Sequence, residues 1–124
     1  LLETFEIALA NAPGEDGGFL QVSAGVELVY DSSEPPGERV VSLHVAQEGA
    51  MQAIDPERTY TIATNSFTAA GGDSHTVLGA AYEDGRNTIV GNTDWEMLRD
   101  YMVERKEVFY QVEGRIIDLA QEGA

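Results

Sequence analysis

The sequence contains no cysteine, so neither a disulfide framework nor thiol chemistry is available to it. It is also poor in positive charge: 22 Asp and Glu stand against 7 Lys and Arg, for a formal net charge of -15. A surface of that sign repels phosphate backbones, which excludes general electrostatic binding of nucleic acid, and it disfavours anionic membranes. Lysine is almost absent, Lys106 being the single example; lysine avoidance with surplus acid fits a salt-adapted or heat-adapted source. No apolar run of membrane-spanning length and no signal-peptide pattern occurs. Missing too are the nucleophile elbow GxSxG, the phosphate loop GxxxxGK[ST], histidine pairs at metal-ligand spacing and the DxDxDG calcium loop. His44 and His75 stand apart, His44 within a strand pattern and His75 in a loop where it would meet ligand or solvent. Nothing here hydrolyses a phosphate ester by itself.

What is present is enough apolar residue, 43% of 124, for one core, hence one domain or part of one. Residues 1–11 carry Leu2, Phe5, Ala8 and Leu9 at helical spacing, with Glu3 and Glu6 opposite. The chain opens as if cut into the start of that helix and reads as a fragment lacking its amino-terminal part. Pro13 and Gly14 end the helix, and an acidic GEDGG loop delivers Phe19 to the next segment. Alternation over residues 20–30 predicts a strand, bent at Ser23, Ala24 and Gly25. A proline-rich turn then leads to an antiparallel return strand over residues 39–45. Residues 47–54 read as a short strand and turn, 59–64 as a strand, 88–90 as a short strand, and 114–119 as the last one. Residues 74–81 fit a short helix or an irregular packing segment. The clearest helix spans 93–106, with Thr93 and Glu96 as a capping box and Trp95, Leu98, Tyr101 and Met102 on one apolar face. Residues 120–124 read as a frayed tail. Strands mixed irregularly with helices define an α+β class rather than a regular βαβ alternation.

The stretch the chain is organised around is TNSFTAAGGD, residues 64–73. It carries one exposed-looking aromatic, Phe67, then adjacent glycines Gly71 and Gly72, then Asp73. Paired glycines allow positive φ or close approach of another group. An aromatic face and a carboxylate across such a turn suit a nucleoside, with the ring on the base and the acid accepting from ribose hydroxyls. The same residues also fit ordinary turn chemistry, an aspartate bonding its own backbone. Phe19 likewise fits either a core phenylalanine at a strand mouth or a second stacking face. Asn65 is expected to bond loop backbone.

FLQV (residues 19–22), a VYD strand end (29–31), NSFTAAGGD (65–73) and EGRI (113–116) occur in one order. In that combination the chain resembles the carboxy-terminal, substrate-binding domain of the 5'-nucleotidase family, the two-domain metallophosphoesterases. The resemblance covers nearly the whole chain. It implies a mixed sheet with a few packed helices, truncated on its amino-terminal side, with the metallophosphatase domain absent and the metals, two divalent ions, held there. It further implies that Phe19 and Phe67 sandwich the base, that Asp73 holds the ribose, and that Asn65, Gly71 and Gly72 form the substrate loop, with no catalytic or metal-ligating residue in this segment. Stacking of this kind contributes on the order of 1–3 kcal/mol per base. The expected partners are a nucleotide or nucleoside and the catalytic domain of the same polypeptide, and the expected setting is periplasmic, cell-surface or secreted. Where the family continues GGDG and an aromatic, this chain has GGDSH, so Ser74 and His75 set a different loop continuation. A nucleotide, a UDP-sugar and a 2',3'-cyclic nucleotide all fit two aromatic walls. A non-catalytic module keeping the family fold is the alternative.

Overall fold

The computed structural model describes residues 1–121. The expected tail lies largely beyond them.

Helix α1 (Leu2–Ala8) runs into a turn and loop, after which β1 (Val26–Tyr30) and β2 (Val40–Gln47) pair antiparallel. A tight hairpin through Glu48 and Gly49, both at positive φ, leads to β3 (Ala50–Ala53). A two-residue loop of that kind matches the right-handed twist of the flanking strands. Strand β4 (Ile116–Asp118) adds parallel to β1 on its other side, completing a four-stranded mixed sheet in the order β3-β2-β1-β4. The helices between are α2 (Ser66–Ala69), α3 (Thr76–Glu83) and α4 (Asp94–Arg105). The α+β reading from sequence therefore holds.

The core is built by parity. Leu28 pairs with Leu43 on one side and Ile116 on the other, so one row of aliphatic side chains crosses three strands. Phe5, Leu9 and Ala12 from α1 and its exit turn cover that row together with Tyr30. Burying each such side chain contributes roughly 1.5–3 kcal/mol.

Helix and sheet are also tied by reciprocal polar contacts that the sequence did not disclose. The Glu6 carboxylate accepts from the amides of Arg39 (3.0 Å) and Val40 (2.8 Å), at the start of β2. In return the buried Arg39 guanidinium donates to the carbonyls of Leu9 (2.5 Å), Ala10 (3.1 Å) and Ala12 (2.8 Å), and through Nε to Glu34 (2.8 Å). The first three of these carbonyls follow the end of α1; that of Leu9 also accepts from the Ala12 amide at 3.0 Å.

Several sequence expectations are corrected. The first strand is shorter, beginning at Val26; the expected bend at residues 23–25 is present as a turn before it, the Val26 amide donating to the Ser23 carbonyl at 3.0 Å, and a further irregularity lies opposite Val41, between the pairs Val29–Ser42 and Tyr30–Val40. Residues 59–64 form no strand, because no neighbouring backbone among the described residues pairs with them; residues 88–90 likewise form none. Helix α4 forms where expected, with the Glu96 carboxylate reaching back to the Thr93 amide at 3.1 Å and its hydroxyl at 2.7 Å. These bonds hold the Glu96 carboxyl below its ordinary range. Its apolar face, however, is not buried: Trp95, Leu98 and Met102 are all exposed. Arg99 covers the Trp95 ring at 5.1 Å, a cation–π contact within the helix.

Candidate functional site

Two loops meet and build a cleft of about 300 Å³ lined by residues 17–21, Thr64, Asn65, Phe67, Thr68, Asp73 and His75. The first loop is shaped by Asp16. Its carboxylate accepts from the Gly18 amide at 2.8 Å, and the Phe19 amide donates to the Asp16 carbonyl at 3.2 Å. The Gly18 amide, then the Asn11 side chain, hold the Asp16 carboxyl below its ordinary range. Phe19 leaves this turn half-buried and packs against the core, its ring tilted by 60° to that of Tyr30 with centroids 6.5 Å apart. It therefore serves as packing residue and cleft wall at once.

The second loop starts with Asn65, whose side chain caps α2 by accepting from the Thr68 amide at 2.8 Å. That agrees with the expected backbone-bonding role, and it is ordinary chemistry for asparagine at a helix start. Phe67 follows on the rim, 61% exposed. Gly71 turns the chain at φ 92° and meets Gly79 of α3 so closely that a Cβ on Gly71 would lie 3.3 Å from the Gly79 Cα. Gly72 lies under the Phe67 ring. Neither glycine lines the cleft; both shape it from behind. Asp73 (φ 53°) and Ser74 (φ 67°) occupy the left-handed region in succession, which aspartate tolerates better than most side chains.

Phe19, Phe67, Asn65 and Asp73 are thus brought to one cleft. His75 is placed otherwise than expected. It sits at the inner wall and is 1% exposed, with Nε2 at 2.9 Å from the Gly18 carbonyl. Sequence reasoning also passed over Gly18, which a Cβ would crowd to 3.1 Å from the Asp73 Cβ; its place in a Gly-Gly pair was the available signal. His44 lies in β2 opposite Glu27, remote from the cleft in the pairing order.

The chemistry of the cleft is one-sided. It has aromatic surface, amide and hydroxyl groups and the carboxylate of Asp73, and no arginine or lysine lines it among the described residues. A carboxylate accepts hydrogen bonds from hydroxyl groups and repels phosphate. A larger groove of about 700 Å³ is lined by residues of α1 and by residues 58–64, but its lining is mainly aliphatic and threonine side chains, without an aromatic–carboxylate pair. Among the described residues no three His, Asp or Glu side chains cluster as metal ligands would. No described helix is long and apolar enough to cross a membrane.

Comparison with known proteins defines the class. Residues 1–80 match the family model described as 5'-nucleotidase, C-terminal domain, and the chain belongs to that family. It is 37% identical over 121 residues to the snake venom 5'-nucleotidase of Gloydius brevicauda, covering 94% of this chain and 20% of that protein. An apyrase from Tabanus yao is 38% identical over 123 residues, with 94% and 22% covered. The crystal structure of a 5'-nucleotidase precursor from Thermus thermophilus superposes with a TM-score of 0.85 at 36% identity, over 97% of this chain and 23% of that one. The chain spans about a fifth of the length of these relatives.

Proposed function

We propose that this chain is the substrate-specificity domain of a 5'-nucleotidase-like hydrolase and that the cleft receives the nucleoside part of a nucleotide. Phe19 and Phe67 form the two walls for the base, Asp73 accepts from ribose hydroxyls, and Asn65, Gly71 and Gly72 hold the loop that presents them. The observation that carries this reading is Phe67, a large aromatic left 61% exposed on the rim of the cleft that also holds Asp73. Leaving such a ring in water is unfavourable unless a ligand covers it.

The absence of basic side chains in the cleft, among the described residues, supports a division of labour. The nucleoside binds here, and the phosphate points away to a separate domain of the same polypeptide, where two divalent ions would supply water activation and polarisation of the phosphoryl group. On this reading residues 1–124 make up most of one domain. The contribution of this chain is positioning. The name of the venom relative agrees with action outside the cell.

The test is Phe67→Ala in the full polypeptide, assayed with a nucleoside monophosphate. Loss of one stacking face, about 1–3 kcal/mol, should raise KM by roughly tenfold or more. An unchanged KM would remove the clamp from the proposal.

A further inference from the structure

We propose that His75 is a positioning residue that clips the two loops of the cleft together and so sets the distance between the Phe19 and Phe67 walls; this rests on the nucleoside-site reading above.

Three large side chains among the described residues are essentially inaccessible to solvent: Leu9, Leu28 and His75. Two are aliphatic core residues. The third is an imidazole, whose burial is costly unless its nitrogens are bonded. Its side-chain hydrogen bond joins segments 57 residues apart, Nε2 to the Gly18 carbonyl at 2.9 Å, while Nδ1 is buried without a partner among the described residues. A carbonyl only accepts, so Nε2 carries the proton of this bond.

The ring is held firmly on its own side. The His75 amide donates to the Gly72 carbonyl at 3.2 Å, and the His75 carbonyl accepts from Gly79 at 3.0 Å, in the first turn of α3. A continuous path results. Phe19 follows Gly18, Gly18 is bonded to His75, His75 is bonded to Gly72, and Gly72 supports the Phe67 ring. Gly18 also lies against Asp73, so the clip fixes the carboxylate as well as the aromatic walls. An imidazole that only filled core volume would not need this bond, and an apolar side chain of similar size would replace it.

That difference supplies the test, made in the full polypeptide with His75→Leu and His75→Gln. Leucine fills the space without a donor, whereas the glutamine amide reaches the Gly18 carbonyl in place of Nε2. Adenosine affinity is measured by calorimetry where circular dichroism shows each variant folded, and hydrogen exchange of residues 17–20 is followed without ligand. His75→Leu should bind about tenfold more weakly and exchange faster in that loop, and His75→Gln should recover most of both. Unchanged affinity and exchange in His75→Leu, or equal losses in both variants, overturns the clip. If wild-type protein binds no adenosine while exchange still follows the donor, the clip stands and the nucleoside reading falls.

Discussion

The Phe67 ring rests on the bare backbone of Gly72: a Cβ at Gly72 would come within 2.5 Å of Cδ1 and Cζ of that ring. Gly72 is required here for closeness, not for a left-handed backbone angle, and Phe67 is oriented by what lies beneath it. Because the ring is exposed, it can swing away at little cost to the fold. Gly72→Ala should therefore lower nucleoside affinity by about tenfold while changing unfolding free energy by less than about 1 kcal/mol. Calorimetric titration beside urea denaturation measures both; an unaffected affinity would show that the ring's position over Gly72 is immaterial to binding.

Ser74 makes the opposite case. At φ 67° it holds a backbone angle that suits glycine, directly after Asp73 in the same region. A left-handed conformation costs a residue with a Cβ roughly 1–2 kcal/mol. Ser74→Gly should stabilise the folded chain by about 0.5–1 kcal/mol, the unfolded-state entropy of glycine offsetting part of the relief. A higher urea midpoint is the expected result, and a lower one would mean that the serine makes an interaction outweighing the strain.

Arg39 is the residue whose loss should damage the fold most. Its guanidinium serves three carbonyls at the exit of α1 and that of Glu34 in the loop between β1 and β2. Arg39→Met keeps much of the aliphatic volume but removes the donor from these carbonyls, of which that of Ala12 is buried and that of Leu9 keeps its bond from the Ala12 amide. We expect a loss of about 2–4 kcal/mol in unfolding free energy. A denaturation midpoint within error of the unmodified protein would show that water satisfies these carbonyls equally well.

Asp118 should make stability depend on acid pH. Burial pushes its carboxyl up, but the Ser32 and Ala120 amides, which donate to Oδ1 at 3.0 and 3.2 Å, leave it below its ordinary value of 3.8. The stabilisation is complete above the unfolded value and disappears as pH falls through the lower folded one. Between about pH 5 and pH 2 the protein should lose more stability than Asp118→Asn, which begins less stable and titrates less. Parallel pH curves for the two proteins would assign the acid sensitivity elsewhere.

The hairpin between β2 and β3 offers a local check. Glu48 (φ 52°) and Gly49 (φ 84°) are both left-handed, and asparagine is preferred over glutamate at the first such position. Glu48→Asn should add a few tenths of a kcal/mol, to about 1 kcal/mol, read by thermal unfolding. A destabilised variant would show that the glutamate is held by more than the turn.

Local chemistry was legible from the sequence. The cap at Thr93 and Glu96, the alternation through Leu28 and Tyr30 and the Gly-Gly turn before Asp73 each depend on neighbours within a few positions, so spacing alone announces them. Family motifs carried the rest, including the likeness that the comparisons show and the grouping of Phe19, Phe67 and Asp73. What only the tertiary structure decided involves partners distant in the chain. Residues 59–64 alternate like a strand, yet a strand exists only where another backbone pairs with it. Arg39 and His75 look like a strand residue and a loop residue until the carbonyls of α1 and Gly18 are placed beside them. A buried polar side chain is determined by the acceptor that folding brings to it, and no periodicity in the sequence encodes that meeting.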